Sequence, residues 1–273
     1  PKKKLGTPWI DPLVLYAAKI LDISKILLAG GPLALAALAF GSKGSPGVQK
    51  LFASGGARTI VGLHQLSGYV GVESVAAHSE LAIVADSDSS IEIAAADIIA
   101  SADRDPESLV VVFNDNEKWM RELTEKLAIL IGEVKDSHSR ETVQTCLEKN
   151  FYCFVTGSLE QSIEGVNRLS PGTVCLQIEN ATEVLKGIRA AGQVLLGSYT
   201  LPSAVDVVGG AAGLVPTLGA SVFSSSLSPA SFMRRYPYVE VSQEALERTH
   251  LESEKLAAEE GFHTRSIPYK ARS

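Results

Sequence analysis

The chain of 273 residues is 45% hydrophobic and 21% charged, the composition of a soluble globular protein long enough to bury one or two cores. Its 31 acidic side chains outnumber 25 basic ones, and the formal charge of −6 argues against a nucleic-acid surface, which needs clustered Lys and Arg. The 3 cysteines form no C-x-x-C pair, and Cys153 and Cys175 sit in apolar runs, so they read as buried small hydrophobes in a reducing, cytoplasmic setting.

From the N-terminus, Lys2-Lys3-Lys4 reads as a solvated end and no signal peptide is visible. Lys25–Ala29 reads as a strand, and Gly30-Gly31-Pro32 opens an alanine-rich helix through Ala39, the glycines allowing tight packing at the turn. That interruption leaves no apolar run of the ~20 residues a membrane span needs. Leu81–Ala85 is the next strand, followed by a helix over Ser90–Ala102. Leu109–Phe113 is a strand followed by a helix from about Asn116 to Ile131. Gly132–Arg140 reads as a surface loop. Phe151–Val155 and Gln193–Leu196 are short strands, with helices after Ser158 and over Thr182–Ala191. Glu244–Glu260 reads as an exposed helical arm and Phe262–Tyr269 as an extended tail. Continuous apolar strands separated by helices mark parallel sheets covered on both faces, so the class is α/β, doubly wound.

The segment from Ala94 to Pro106, A-A-A-D-I-I-A-S-A-D-R-D-P, resembles the metal-site helix of histidinol dehydrogenases. The likeness is colinear over nearly the whole chain. It includes Ala29–Gly41, Ala76–Asp86, Asn167-Arg168-Leu169-Ser170-Pro171, Leu214-Val215-Pro216-Thr217, Phe223-Ser224-Ser225 and Arg265-Ser266. It implies two Rossmann-like lobes, with residues 1–79 as a partial first lobe and 80–225 as the second. Residues 226–273 would form a C-terminal arm that reaches a partner subunit in a homodimer. Enzymes of the family carry a substantial portion before the point matched by Pro1. This start reads as a cut boundary, a processed end or a real deletion that leaves the sheets short of strands, and the sequence does not decide among these.

The resemblance also implies an NAD-dependent oxidation of a zinc-bound alcohol, with a Glu-His pair as acid and base. Here the key positions differ. Ser101 and Arg104 stand where the family has two zinc ligands, and an arginine has no lone pair to give. Asp206 and His263 match the other two, which makes them weak metal candidates. Asp206 is alternatively read as an arginine's partner and His263 as merely polar. Gly172-Thr173 replaces the Glu-His pair, Leu33 replaces a dinucleotide-contacting glutamine, and Ala53-Ser54-Gly55-Gly56 replaces the phosphate loop. NAD and zinc are therefore not expected as cofactors.

The remaining polar groups define the candidate site. His78, Ser79, Arg104 and Asp206 are the candidate catalytic residues, and Ser101, Thr173, Glu260 and His263 the candidate ligand-binding ones. His78 replaces a proline beside Ser79, and histidine is the side chain that changes charge near neutral pH. It reads equally as a loop histidine filling space. Asp103 and Arg104 are read as an ion pair, an anion clamp or a surface pair. With Leu33, Ala53, Gly172, Thr173 and Gly213 in place of polar groups, the old cleft is expected to be roomier and more apolar, suited to a hydrophobic small molecule. Three functions stay open: a repurposed enzyme performing a non-redox isomerisation or cyclisation, an oxidoreductase with relocated ligands, and a non-catalytic partner subunit.

Overall fold

The computed structural model describes residues 10–44, 46–53, 55–74, 78–210 and 214–272. The Lys2-Lys3-Lys4 triplet, Ser54, Ala76-Ala77 and Gly213 lie outside them.

The chain opens with two helices, α1 (Pro12–Ile20) and α2 (Gly31–Phe40). Asp11 caps α1 by accepting from the Leu13 amide at 2.8 Å. Between the helices, Lys25–Ala29 forms no strand. Its apolar residues extend the backbone, but no neighbouring strand supplies a ladder, and Leu27 and Leu28 are exposed. Gly31 has φ +74°, while a Cβ at either Gly30 or Gly31 would meet nothing within 4 Å. The turn therefore requires glycine for its left-handed backbone, not for tight packing.

A small parallel sheet pairs β1 (Lys50–Ala53) with β2 (Gly71–Ser74), connected through α3 (Ala57–Leu66). Leu35, Leu51, Leu63, Leu66 and Val70 form its core.

The main sheet holds β3 (Glu80–Ala85), β4 (Leu109–Asn114), β5 (Phe151–Val155), β6 (Thr173–Gln177) and β7 (Gln193–Leu196). All are parallel, in the order β5-β4-β3-β6-β7, so the winding reverses between β3 and β6. Alternation along β3 sends Leu81, Ile83 and Ala85 to one face and Ala82 and Val84 to the other. On the first face lie α4 (Ile91–Ala102), α5 (Glu117–Glu133) and α6 (Ser137–Asn150), through Ile98, Leu123 and Val143. On the second lie α7 (Leu159–Leu169) and α8 (Ala181–Val184), through Val166 and Ala181. This confirms the doubly wound α/β class.

Local side chains set the helix limits. Ser90, Asn116 and Ser158 each cap a helix by accepting from amides of its first turn. Asp136 accepts from the Ser139 amide at 2.8 Å and starts α6, so the expected loop shrinks to residues 134–136. The helix expected to reach Ala191 stops early, passing into a 3-10 turn over Leu185–Gly187. There Asn167 takes over the backbone: its Oδ1 accepts from the amides of Arg189 (2.7 Å) and Ala190 (3.3 Å), and its Nδ2 donates to Gly187 O at 2.9 Å. Cys153 is exposed, because β5 is the edge strand of the sheet.

A final helix of the larger unit, α9 (Pro202–Val208), touches α4. The larger unit ends at Ser231, and a smaller one begins at Phe232. The smaller unit contains α10 (Gln243–Glu259), a 3-10 turn over His263–Arg265 and α11 (Ser266–Lys270). The tail is thus helical, not extended. Arg265 stacks on the Phe262 ring at 4.2 Å and pairs with Glu260 at 3.0 Å, contacts that close a turn. Among the described residues, no helix is long and apolar enough to cross a membrane.

Candidate functional site

A cleft of about 590 Å³ opens at the amino ends of β3, β6 and β7. Open α/β sheets usually bind ligands at their carboxyl ends, so this is the opposite edge. His78, Ser79, Ser101, Arg104, Thr173 and Asp206 all line it. These six candidates, spread over 129 positions of the chain (78 to 206, counted inclusively), therefore share one wall system. Glu260 and His263 belong to the smaller unit, where Glu260 caps α10 and pairs with Arg265.

One wall is a face of α4 and the turn that follows it. Asp97, Ala100, Ser101 and Arg104 recur at three- and four-residue spacing, which puts them on one side of a helix. Ser101 is buried, whereas Arg104 is half exposed. Arg104 does not pair with the adjacent Asp103, which is exposed at the helix cap. Its Nη1 instead donates directly to Oδ2 of Asp206 on α9, 102 positions away.

His78 lines the same cleft. Its Nδ1 is 3.6 Å from Asp105 Oδ1, too long for a hydrogen bond, and is a buried nitrogen without a hydrogen-bond partner. Ser79 is held from the other side, its carbonyl accepting from the Leu109 amide at 2.8 Å. Thr173 opens β6 with its Oγ1 accepting from Gln193 Nε2 at 3.0 Å.

Two buried carboxylates complete the cleft, and neither was among the sequence-level candidates. Glu80 accepts from the amides of Gly172 (3.0 Å) and Leu218 (2.7 Å), joining β3 to two distant loops. Burial raises its pKa, with those amides and His78 opposing. Asp97 accepts from Gln177 Nε2 at 2.7 Å, and burial pushes its pKa up to about 6. The Gln177 Oε1 on the far side of that amide is buried without a partner. The signal for both residues is visible in the chain: a lone carboxylate inside Ala94–Ile99, and another opening Leu81–Ala85. With these acids and the Arg104–Asp206 pair, the cleft is more polar than the substitutions alone suggest.

Gly172, where the resemblance places a glutamate, is crowded by its neighbours. A Cβ on Gly172 would lie 3.0 Å from methyl groups of both Val215 and Thr217 and 3.3 Å from Pro216 O. A glutamate does not fit there without repacking.

The residues present do not fit zinc. Arg104 places a permanent cation on Asp206, and among the described residues no group of three or more His, Cys, Asp or Glu side chains converges to hold a metal. A dinucleotide finds a partial match. Gly55 lines the cleft and Gly56 opens α3 with no side-chain cap, leaving amides for a phosphate. Leu33 is exposed and offers no hydrogen bond where the resemblance places a glutamine.

The fold and cleft define an α/β protein of dehydrogenase architecture. Residues 3–272 match the histidinol dehydrogenase family, and the chain belongs to it. It is 32% identical over 262 residues to the histidinol dehydrogenase of Zymomonas mobilis, covering 95% of this chain and 60% of that protein. Against the enzyme of Thermotoga maritima the identity is also 32%, over 94% of this chain and 60% of the relative. The crystal structure of histidinol dehydrogenase from Elizabethkingia anophelis superposes with a TM-score of 0.90 at 25% identity, covering 96% of this chain and 60% of that one. The chain thus spans about 60% of the length of these relatives.

Proposed function

We propose that this cleft binds a small molecule and promotes a non-redox step, an isomerisation or cyclisation, on a histidinol dehydrogenase frame. The observation that carries the reading is at Gly172: where the resemblance places a proton-transferring glutamate this chain has no side chain, and methyl groups of Val215 and Thr217 crowd the position at 3.0 Å from where a Cβ would lie. A rearrangement needs no hydride acceptor, because every atom and electron stays with the ligand. It needs a shaped site, hydrogen bonds and a group that moves a proton. Leu214, Val215 and Pro202 offer an apolar surface for the ligand body. Ser79 and Ser101 supply hydroxyls, Arg104 held by Asp206 supplies an oriented cation, and His78 supplies the imidazole. Thr173 borders the bound ligand on the β6 side.

The same reading makes the protein a homodimer joined through its C-terminal unit. Ala257 is the buried residue of α10, so the arm has little core of its own and Leu251 and Leu256 stay exposed.

The second reading is an NAD-dependent oxidoreductase, favoured by the 32% identity to histidinol dehydrogenases and by the Gly55-Gly56 amides at α3. Calorimetric titration with NAD, alone and with histidinol, separates the two. No heat of binding and no reduced cofactor supports the non-redox reading. Saturable NAD binding with cofactor reduction refutes it.

A further inference from the structure

Family resemblance places a metal among Ser101, Arg104, Asp206 and His263, and the geometry at three of these positions has its own logic. Metal binding needs several lone pairs converging on one point, and Arg104 contributes five donors and none. Its Nη1 lies directly on Asp206 Oδ2, so the one carboxylate of the set is already neutralised. The pair joins the end of α4 to α9, elements that pack against each other across the cleft mouth. A bridging metal would tie the same two elements together.

We infer that the Arg104 guanidinium is a protein-borne cation standing in place of the metal ion, so that the cleft stays assembled without zinc and rejects divalent cations. The inference rests on the placement of the family's metal helix at Ala94–Pro106, not on which ligand the cleft binds. Three features support it. The guanidinium cannot lose its charge at accessible pH, so the repulsion of a divalent ion is permanent. Ser101, one turn earlier on α4, is a buried neutral hydroxyl, a poor partner for zinc. His78, Asp105 and Asp206 line the same cleft, yet among the described residues no group of three such side chains converges to hold a metal. Arg104 thus occupies, with its own cation, the carboxylate that the resemblance assigns to the metal.

Removing that charge and supplying one imidazole in its place should free Asp206 and give the position two donors. The experiment compares metal-stripped wild type with Arg104→His, each titrated with Co2+ by visible absorption and with Zn2+ by calorimetry. Wild type is expected to show no saturable binding of either ion, and its Tm should not move on adding EDTA. Arg104→His should bind one Co2+ per chain, with affinity at least 100-fold above any wild-type background and lost again in Arg104→His/Asp206→Asn. One zinc per wild-type chain, released by Asp206→Asn, would overturn the inference. Arg104→His remaining at background while folded would overturn it too, by showing that Asp206 and His78 do not face a common point. Should Arg104→His fail to fold, Arg104→Gln serves instead: it removes the charge at similar size, and an EDTA-insensitive wild type beside a Zn2+-stabilised Arg104→Gln supports the inference, while equal insensitivity of both refutes it. Failure of the non-redox reading looks different, since NAD binding or cofactor reduction registers in neither metal titration.

Discussion

Replacing Asp97 by asparagine should stabilise the protein at neutral and alkaline pH and leave it little changed in acid. Burial raises this carboxyl from 3.8 to about 6, and a folded-state pKa above the unfolded one means the native state holds the proton more tightly. The stabilising contribution of the protonated form is full below pH 3.8, declines between 3.8 and about 6, and is absent above. The span from 3.8 to about 6 corresponds to about 3 kcal/mol, the cost of keeping Asp97 ionised in its buried setting at pH 8. Asparagine has the same shape and no charge. Gln177 can turn its amide so that the partnerless Oε1 accepts from the side-chain nitrogen the substitution introduces. The assay is urea unfolding of wild type and Asp97→Asn from pH 4 to pH 8. Subtracting the two cancels Glu80 and the other carboxylates. The variant's advantage should grow by about 2 kcal/mol across that range, nearly all of it between pH 4 and about 6.5, the remainder having accrued below pH 4. A difference that stays flat with pH, whatever its sign, would show that Asp97 titrates normally and refute the burial argument.

Other expectations are simpler. Gly172→Glu should not restore dehydrogenase chemistry and should destabilise by about 1–3 kcal/mol in chemical denaturation, because its Cβ would lie 3.0 Å from methyl groups of Val215 and Thr217. A variant as stable as wild type would show that this loop relaxes freely and would weaken the non-redox reading. Light scattering should give twice the 28.9 kDa chain mass, and a monomer at micromolar concentration would remove the dimer from the proposal.

Much of the main sheet was readable from the chain because a parallel strand is covered on both faces and announces itself as an unbroken apolar run. Leu81–Ala85, Leu109–Phe113, Phe151–Val155 and Gln193–Leu196 are all strands, and Ser90, Asn116 and Ser158 begin the helices expected beside them. Lys25–Ala29 has the same composition and forms no strand, because a ladder needs a partner and pairing is not a local property. β1 and β2 are four residues each, too short to stand out, and β6 begins on Thr173 and ends on Gln177, polar residues that the sheet nonetheless buries. The exposure of Cys153 follows from the edge position of β5, which composition does not encode.

In the cleft the division is similar. Residue identities alone established that Arg104 cannot ligate a metal and that Gly172-Thr173 cannot exchange protons as a Glu-His pair does, because these are properties of single side chains. Only the tertiary structure decided that Arg104 reaches Asp206 and not Asp103, that Asp97 and Glu80 are buried in the same cleft, and that Val215 and Thr217 crowd Gly172. Those facts depend on distances between residues far apart in the chain, and on the water that packing excludes between them.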